Sequence, residues 1–316
     1  MQKRKIWENF LQWVLPCVLL VIALVLSIYD FNNKMEIAIQ TVVDDQAEQI
    51  GLYYAAGVED KLKALGNITD AVASIMAARL DRGEAFLNEK LDTLMKASDA
   101  YMVVYCATNG TGFLNDRRQI DMTELNYYDS ILGETPHYLF TRSDGINGQM
   151  AFIYVCPITN SGNVNGYLLS YMEPAEMSDF FENSVYGDKA FFSLVDRNGT
   201  IMACYGATQG TKILQNDFWN SLKGVAESLG SWTLFDRQQQ KGDNGILHVN
   251  ENGVGKILCH FPIADTAWNL VVGIDESYLS GIQQSFRGPI VDLIVKISIS
   301  IAAALIVITV INVLVR

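Results

Sequence analysis

An apolar run, Phe10 to Tyr29, passes without a turn signal into an amphipathic pattern that continues to Leu80, so this chain needs one very long helix. The run is 20 residues long and interrupted by Gln12. At about 1.5 Å per residue it reaches about 30 Å, the thickness of a bilayer's hydrocarbon core. From Val43, apolar or small residues recur at Ala47, Ile50, Tyr54, Val58, Leu62, Leu65, Ile68, Val72 and Ile75, in steps of three or four that trace one helix face. A second apolar run, Ile297 to Val315, is 19 residues long. Two membrane spans, residues 10–29 and 289–315, are therefore expected to bracket residues 30–288, with a short tail at 1–9.

Lys3, Arg4 and Lys5 would suit the basic start of a signal peptide. The apolar run is longer than such a peptide uses, and Ser27-Ile28-Tyr29-Asp30 offers no small-x-small cleavage site, so an uncleaved anchor is expected. The same basic residues place the N-terminus in the cytoplasm, and the second span returns the C-terminus there. Residues 30–288 are then extracellular, in a multi-pass protein of the cell membrane. Of the net charge of −12, the first nine residues contribute +2 and residues 289–316 contribute +1, which leaves −15 on the middle. A segment so acidic repels nucleic acid and tolerates cationic small ligands. Asp292 and Lys296, four apart near the second span, are placed to pair on one helix face.

Five cysteines, Cys17, Cys106, Cys156, Cys204 and Cys259, form no C-x-x-C pair, and the last four lie in or beside strand-like runs where buried thiols are expected, disulfides in an oxidising compartment being the alternative. The long helix should stop at Asp81-Arg82-Gly83, with a shorter amphipathic helix over Glu84 to Lys96. Gly51, Gly57 and Gly66 weaken the long helix unless another helix packs closely there. From Tyr101 the pattern changes to strands. Tyr101 to Ala107 and Phe113-Leu114 flank an Asn109-Gly110 turn, and Gln149 to Val155 and Gly166 to Tyr171 flank Ser161-Gly162-Asn163.

This arrangement repeats. Phe191 to Val195, Asn198-Gly199 and Ile201 to Tyr205 echo the first hairpin, while Ile257 to Phe261, Pro262-Ile263 and Trp268 to Ile274 echo the second. Pro157-Ile158 and Pro262-Ile263 are both read as strand ends, because proline cannot donate to a ladder. Glycine to proline spans 47 residues in the first unit and 63 in the second, the extra length falling in a helix-like Asp217 to Leu229 and a turn-rich Gln238 to Gly245. The expected fold class is α+β: a long N-terminal helix with two tandem antiparallel sheets, divided near Glu173 to Asp188. A last helix should begin near Asp275, carry Tyr278, Leu279 and Ile282, and end at Gly288-Pro289.

Span, long helix, two strand-rich units, short helix, span: this order resembles the double Cache (dCache) ectodomains of bacterial transmembrane receptors. Tyr127-Tyr128-Asp129-Ser130-Ile131-Leu132-Gly133-Glu134 with Gly148 and Pro157-Ile158 looks like the family's distal-unit pattern, and Trp268 to Gly273 like its closing strand. The resemblance covers about residues 30–288. It implies two PAS-like units, membrane-distal at 101–175 and membrane-proximal at 186–275, supported by helices over 30–100, with a ligand pocket in the distal unit. In amino-acid-binding members an arginine is followed closely by Trp-Tyr; Arg117-Arg118 here lacks that tryptophan.

A pocket needs an apolar wall and a few polar groups. Tyr127, Tyr128, Asp129, Arg142 and Asp144 lie between the distal strands, and Tyr101, Tyr105 and Tyr154 can point inward from strands, so these eight are the candidate ligand-binding residues. Arginine holds a carboxylate in a fork, and aspartate with tyrosines holds an amine. Three histidines without metal spacing, no nucleophile elbow and no phosphate loop point away from an enzyme, a metal or a cofactor. The function expected is small-ligand sensing by a homodimer that passes a helix shift to a cytoplasmic output module, either beyond residue 316, a diguanylate cyclase or histidine kinase, or on a separate partner. A surface interaction module and a tethered enzyme are the other two readings.

Overall fold

The computed structural model describes residues 2–79, 82–177, 180–181, 187–206, 217–251, 253–278, 288, 291–301, 303–304 and 307; of residues 2–18, 20, 21 and 188 it describes the backbone alone. The expected long helix is α1, Gln2–Ala77, and the expected short one is α2, Glu84–Ala97. Among the described residues no helix is long and apolar enough to cross a membrane. Many side chains of the first apolar run, and residues 302, 305–306 and 308–315 of the second, lie outside them, as does the expected last helix beyond Tyr278. The chain divides into two compact units, Met1–Gln46 with Glu276–Arg316, and Ala47–Asp275.

The Ala47–Asp275 unit holds two antiparallel sheets. The first has six strands: β1 Met102–Ala107, β2 Thr111–Leu114, β3 Gln119–Asp121, β4 His137–Thr141, β5 Ala151–Asn160 and β6 Asn163–Met172. Their order is β3-β2-β1-β6-β5-β4. The second has five: β7 Ala190–Asp196, β8 Ile201–Gly206, β9 Gly245–Glu251, β10 Val254–Pro262 and β11 Trp268–Asp275, in the order β8-β7-β11-β10-β9. Without its edge strand β3, the first sheet has the same connectivity as the second, so the repeat in the sequence is a repeat in topology. The matching turns agree in detail: Gly110 and Gly199 both sit at φ 87°, where a side chain would be strained.

The proline echo holds only in part. Pro262 ends β10, but Pro157 lies inside β5, paired with Tyr167. The reason is that β4 stops at His137 opposite Val155, so beyond that point β5 has one neighbour and can lack a donor. The helix expected over Asp217 to Leu229 is the shorter α4, Phe218–Lys223, and a second helix not expected, α5 Leu229–Lys241, follows it through residues read as turn. A four-residue α3, Tyr128–Ile131, precedes β4.

Most of the expected apolar face of α1 is covered: Val43, Ala47, Tyr54, Val58, Leu62, Leu65 and Val72 are buried, Ile50 and Ile68 are half-buried, and Ile75 is exposed. All three glycines receive aromatic rings, from strands at Gly51 and Gly66 and from the helical residue Phe180 at Gly57. A Cβ on Gly51 would lie 2.0 Å from the Phe261 ring, one on Gly57 2.1 Å from Phe180, and one on Gly66 2.9 Å from the Tyr138 hydroxyl. Polar contacts hold the first sheet to the same helix: Tyr154 donates to the Asp70 carboxylate at 2.9 and 3.0 Å, Tyr138 donates to the Leu62 carbonyl at 2.9 Å, and Thr69 and Ser170 share a buried hydrogen bond of 2.7 Å. The sheets meet where Phe152 packs on Trp268, ring centres 5.3 Å apart. Each sheet's other face carries its own core, Val104, Leu114, Ile153 and Leu169 on the first and Leu222, Phe235, Leu247 and Val271 on the second. Cys106, Cys156 and Cys259 are buried thiols as expected, but Cys204, on the edge strand β8, is exposed.

Candidate functional site

Alternation along the strands sorts the eight candidate residues between two faces. Met102, Val104, Ile153 and Val155 belong to the core on the face away from α1, so Tyr105 and Tyr154, one residue out of step, lie on the face toward α1. Tyr154 spends its hydroxyl on Asp70 there, and Tyr105 donates to the Asn165 carbonyl at 3.0 Å. Both are buried. Burial, with Asp70 beside it, raises the Tyr154 pKa far above the ordinary phenol value.

Three of the others come together around one loop. Asp144 is fully buried, and its Oδ1 accepts the backbone N–H groups of Ile146, Asn147 and Gly148 at 2.9, 2.7 and 2.8 Å. Its Oδ2 accepts the Tyr101 hydroxyl at 2.8 Å. Tyr127 donates to the Asp144 carbonyl at 2.7 Å and lies 3.2 Å from the hydroxyl of Tyr171, a buried fourth member. Burial works to raise the Asp144 pKa, but the Tyr101 hydroxyl and three N–H groups outweigh it and hold the carboxyl below its usual value. Tyr127 is pushed up to about 12, chiefly by burial.

The remaining three stand apart from that network. Tyr128 is half-buried and packs on the core's edge, while Asp129 in the first turn of α3 and Arg142 after β4 are exposed.

Above the network lies a cleft of about 510 Å³. One bank is Arg118, Ile120, Asp121, Glu124, Leu125 and Asn126; the other is Ser143, Gly145 and Ile146, the loop that Asp144 organises. Asp121 caps the short turn Met122–Glu124, accepting from Thr123 N at 3.0 Å. Arg118 is held by Asp116 at 2.6 Å, and Arg117 is turned away to Asp92 on α2 at 2.7 Å. Apart from Arg118, weighed with Arg117 against the amino-acid-binding pattern, the bank residues were not singled out from sequence; all but Gly145 and Ile146 lie within the polar stretch with aromatics from Asn115 to Asp144, whose lack of helix or strand period was their only signal. Among the described residues no group of three or more histidine, cysteine or carboxylate side chains could hold a metal ion.

No protein-family model matches the sequence. No curated protein matches it either. Solved structures do. The extracellular domain of the histidine kinase rpHK1S-Z16 superposes with a TM-score of 0.58 at 15% identity, covering 77% of this chain and 98% of that one. The ligand-binding domain of the Pseudomonas fluorescens chemoreceptor CtaA, in complex with L-isoleucine, gives 0.62 at 13%, covering 78% and 97%. That of Campylobacter jejuni Tlp3, in complex with L-valine, gives 0.56 at 15%, covering 76% and 95%. The chain has the double Cache fold.

In this double Cache fold the first sheet is mounted on α1 through Tyr138, Tyr154 and Ser170, and its opposite face carries the Asp144 network and the cleft. The second sheet is seated on the same helix through Phe261 and the Tyr54–Phe192 contact, ring centres 4.5 Å apart, and has its outer face covered by α4 and α5.

Proposed function

We propose that this chain is the sensing portion of a bacterial transmembrane receptor, with residues 10–29 and 289–315 as membrane spans, both termini cytoplasmic and residues 30–288 outside. The observation that carries the reading is α1 itself: one helix of 76 residues contains the apolar run at one end and the mounts of both sheets at the other. The first-sheet unit is then membrane-distal and the second membrane-proximal. A small organic ligand occupies the cleft between Asp121–Asn126 and Ser143–Ile146, a placement that the bound L-isoleucine and L-valine of the similar chemoreceptor domains support in kind. Tyr128, Asp129 and Arg142 neighbour the cleft in sequence, through Asn126 and Ser143, without lining it; Tyr101, Tyr127 and Asp144 hold its bank in shape; Tyr154 mounts the sheet on α1, and Tyr105 ties β1 to β6.

Binding favours one of two states of the outer unit by its difference in affinity for them, and the shift passes through the helices to a cytoplasmic output module of diguanylate cyclase or histidine kinase type. The receptor acts as a homodimer through the side of α1 that the sheets leave open, where Tyr53 and Leu52 are exposed.

The test is a thermal-shift screen of the full chain in nanodiscs against small amino acids, amines and carboxylates. A compound that raises the unfolding midpoint in wild type but not in Asn126→Trp, which fills the cleft, supports the reading. A shift that survives Asn126→Trp places the ligand elsewhere. Disulfide cross-linking of Tyr53→Cys in membranes tests the dimer, and its absence under oxidising conditions would remove that interface.

A further inference from the structure

The second sheet holds a polar cluster that ligand sensing in the first does not use. His260 on β10 is fully buried, and among the described residues neither ring nitrogen meets a partner at full hydrogen-bond geometry, the Phe235 backbone and the Asn269 side chain being the polar groups near it. Asn269 lies on neighbouring β11, diagonal to His260 on the same face, and its Oδ1 also meets none at that geometry. The imidazole lies edge-on to Phe235 of α5, ring centres 4.5 Å apart, and 6.3 Å from Trp219 of α4. Gly245 on β9 leaves the room it needs, since a Cβ there would stand 2.4 Å from Nε2 and 3.0 Å from Gln238 Oε1.

No charged group faces this ring from the elements packed on it. The contributions are Trp219 from α4, Phe235 and Gln238 from α5, Gly245 from β9 and Asn269 from β11. Of the charged residues on α5, Asp236 bonds Gln240, and Arg237 and Lys241 are exposed. Glu251 and Lys256 share the sheet face but pair with each other at 2.9 Å at the far end of β9 and β10.

The cover above the ring is lightly held. Helix α5 has 13 residues but buries only Trp232 and Phe235, while Leu229 and Leu234 point to solvent, 72% and 55% exposed. An element with so few buried contacts opens at a small fraction of the whole fold's stability. An imidazolium is disfavoured beneath it, because burial outweighs the support of the Phe235 backbone and the Asn269 side chain.

We propose that α5 is an acid-responsive lid on the second sheet: its lifting exposes His260 to water, proton uptake on the imidazole holds it open, and mild acidity raises the lifted population. Burial depresses His260 to about 4 with the lid closed, from the ordinary 6.5 that the lifted state restores. The proton is therefore bound more tightly by the lifted state, and lowering the pH from 7 to 5 raises its ratio to the closed state about twentyfold.

Hydrogen exchange of the full chain in detergent, corrected for intrinsic rates at pH 7 and 5, tests this with residues 84–97 of α2 as the internal reference. Wild type should lose about twentyfold in protection over residues 229–241 at the lower pH, while His260→Gln and His260→Leu should not. An equal loss in both variants, or no pH-dependent loss in wild type, overturns the proposal. Should the variants not fold, the imidazole C2–H resonance of wild-type His260 decides: a titration midpoint below about 5.5 supports the lid, and one at or above it overturns it.

Discussion

Replacing Asp144 by alanine separates a builder of the cleft from a contact to its ligand. The carboxylate is fully buried and accepts three backbone N–H groups and the Tyr101 hydroxyl. Alanine leaves all four donors without that acceptor, and each buried donor so left costs about 1–3 kcal/mol. The full sum does not apply, because Asn147 and Gly148 are exposed and their N–H groups can reach water. The Tyr101 hydroxyl and the Ile146 N–H remain, for a loss of about 3 kcal/mol in the ligand-free protein. For a unit the size of Ala47–Asp275 that is a fall in Tm of about 6–12 °C. Asp144→Asn keeps an oxygen for the three N–H groups and should lose only about 1 kcal/mol. The hydrogen bonds that hold Asp144 below the ordinary carboxyl range make its contribution present above the unfolded-state pKa of about 4, and it is lost as pH falls through the lower folded value. The gap between wild type and alanine, followed by circular dichroism, should therefore be full at pH 7 and close in strong acid. An alanine variant melting within about a degree of wild type at pH 7 would refute the network as the loop's support.

Three further outcomes follow from the mounting of the sheets. Gly51→Ala should gain about 1 kcal/mol in helix propensity but lose about 1–3 kcal/mol by overpacking. The ring it meets, Phe261, is buried and has nowhere to turn, so a lower denaturant midpoint is expected and an unchanged one would show that the ring yields. Tyr154→Phe removes a hydrogen bond to a carboxylate and should cost about 1–2 kcal/mol in urea unfolding, without changing any ligand-induced shift. Arg117→Ala, which breaks an exposed ion pair with Asp92, should move the midpoint by less than about 1 kcal/mol.

The long helix, the central strands and the repeat could be read because their side chains obey a strict period: α1 alternates every three or four residues, and β1, β6, β7 and β11 are nearly continuous apolar runs buried on both faces. The edge strands β4 and β9 escaped, since a strand covered on one side tolerates His137, His248 and Asn250 and keeps no apolar run. Helix α5 escaped for a related reason: its two buried aromatics sit in a polar sequence ending in three glutamines and a lysine. At the site, residue type was legible and direction was not. Tyr105 and Tyr154 face α1 by strand phase, whereas Tyr101, just before β1, and Tyr127, just before α3, lie outside the strands and reach the cleft side where no period predicts direction; Asp144 looks like a ligand group in sequence because an anion buried by loop N–H groups has the same chemistry as one awaiting an amine.

The three glycines of α1 have a mechanical consequence. At about 100° per residue, Gly57 is turned about 240° from Gly51, and Gly66 a further 180°, so the rings enter the helix from three directions. A shaft keyed at three angles can neither spin in its housing nor slip along it unless a ring is first expelled. Between Gly51 and Gly66 the helix and both sheets form a single machined piece, and any displacement that begins at Tyr154 or Phe261 must carry that whole length of α1 with it.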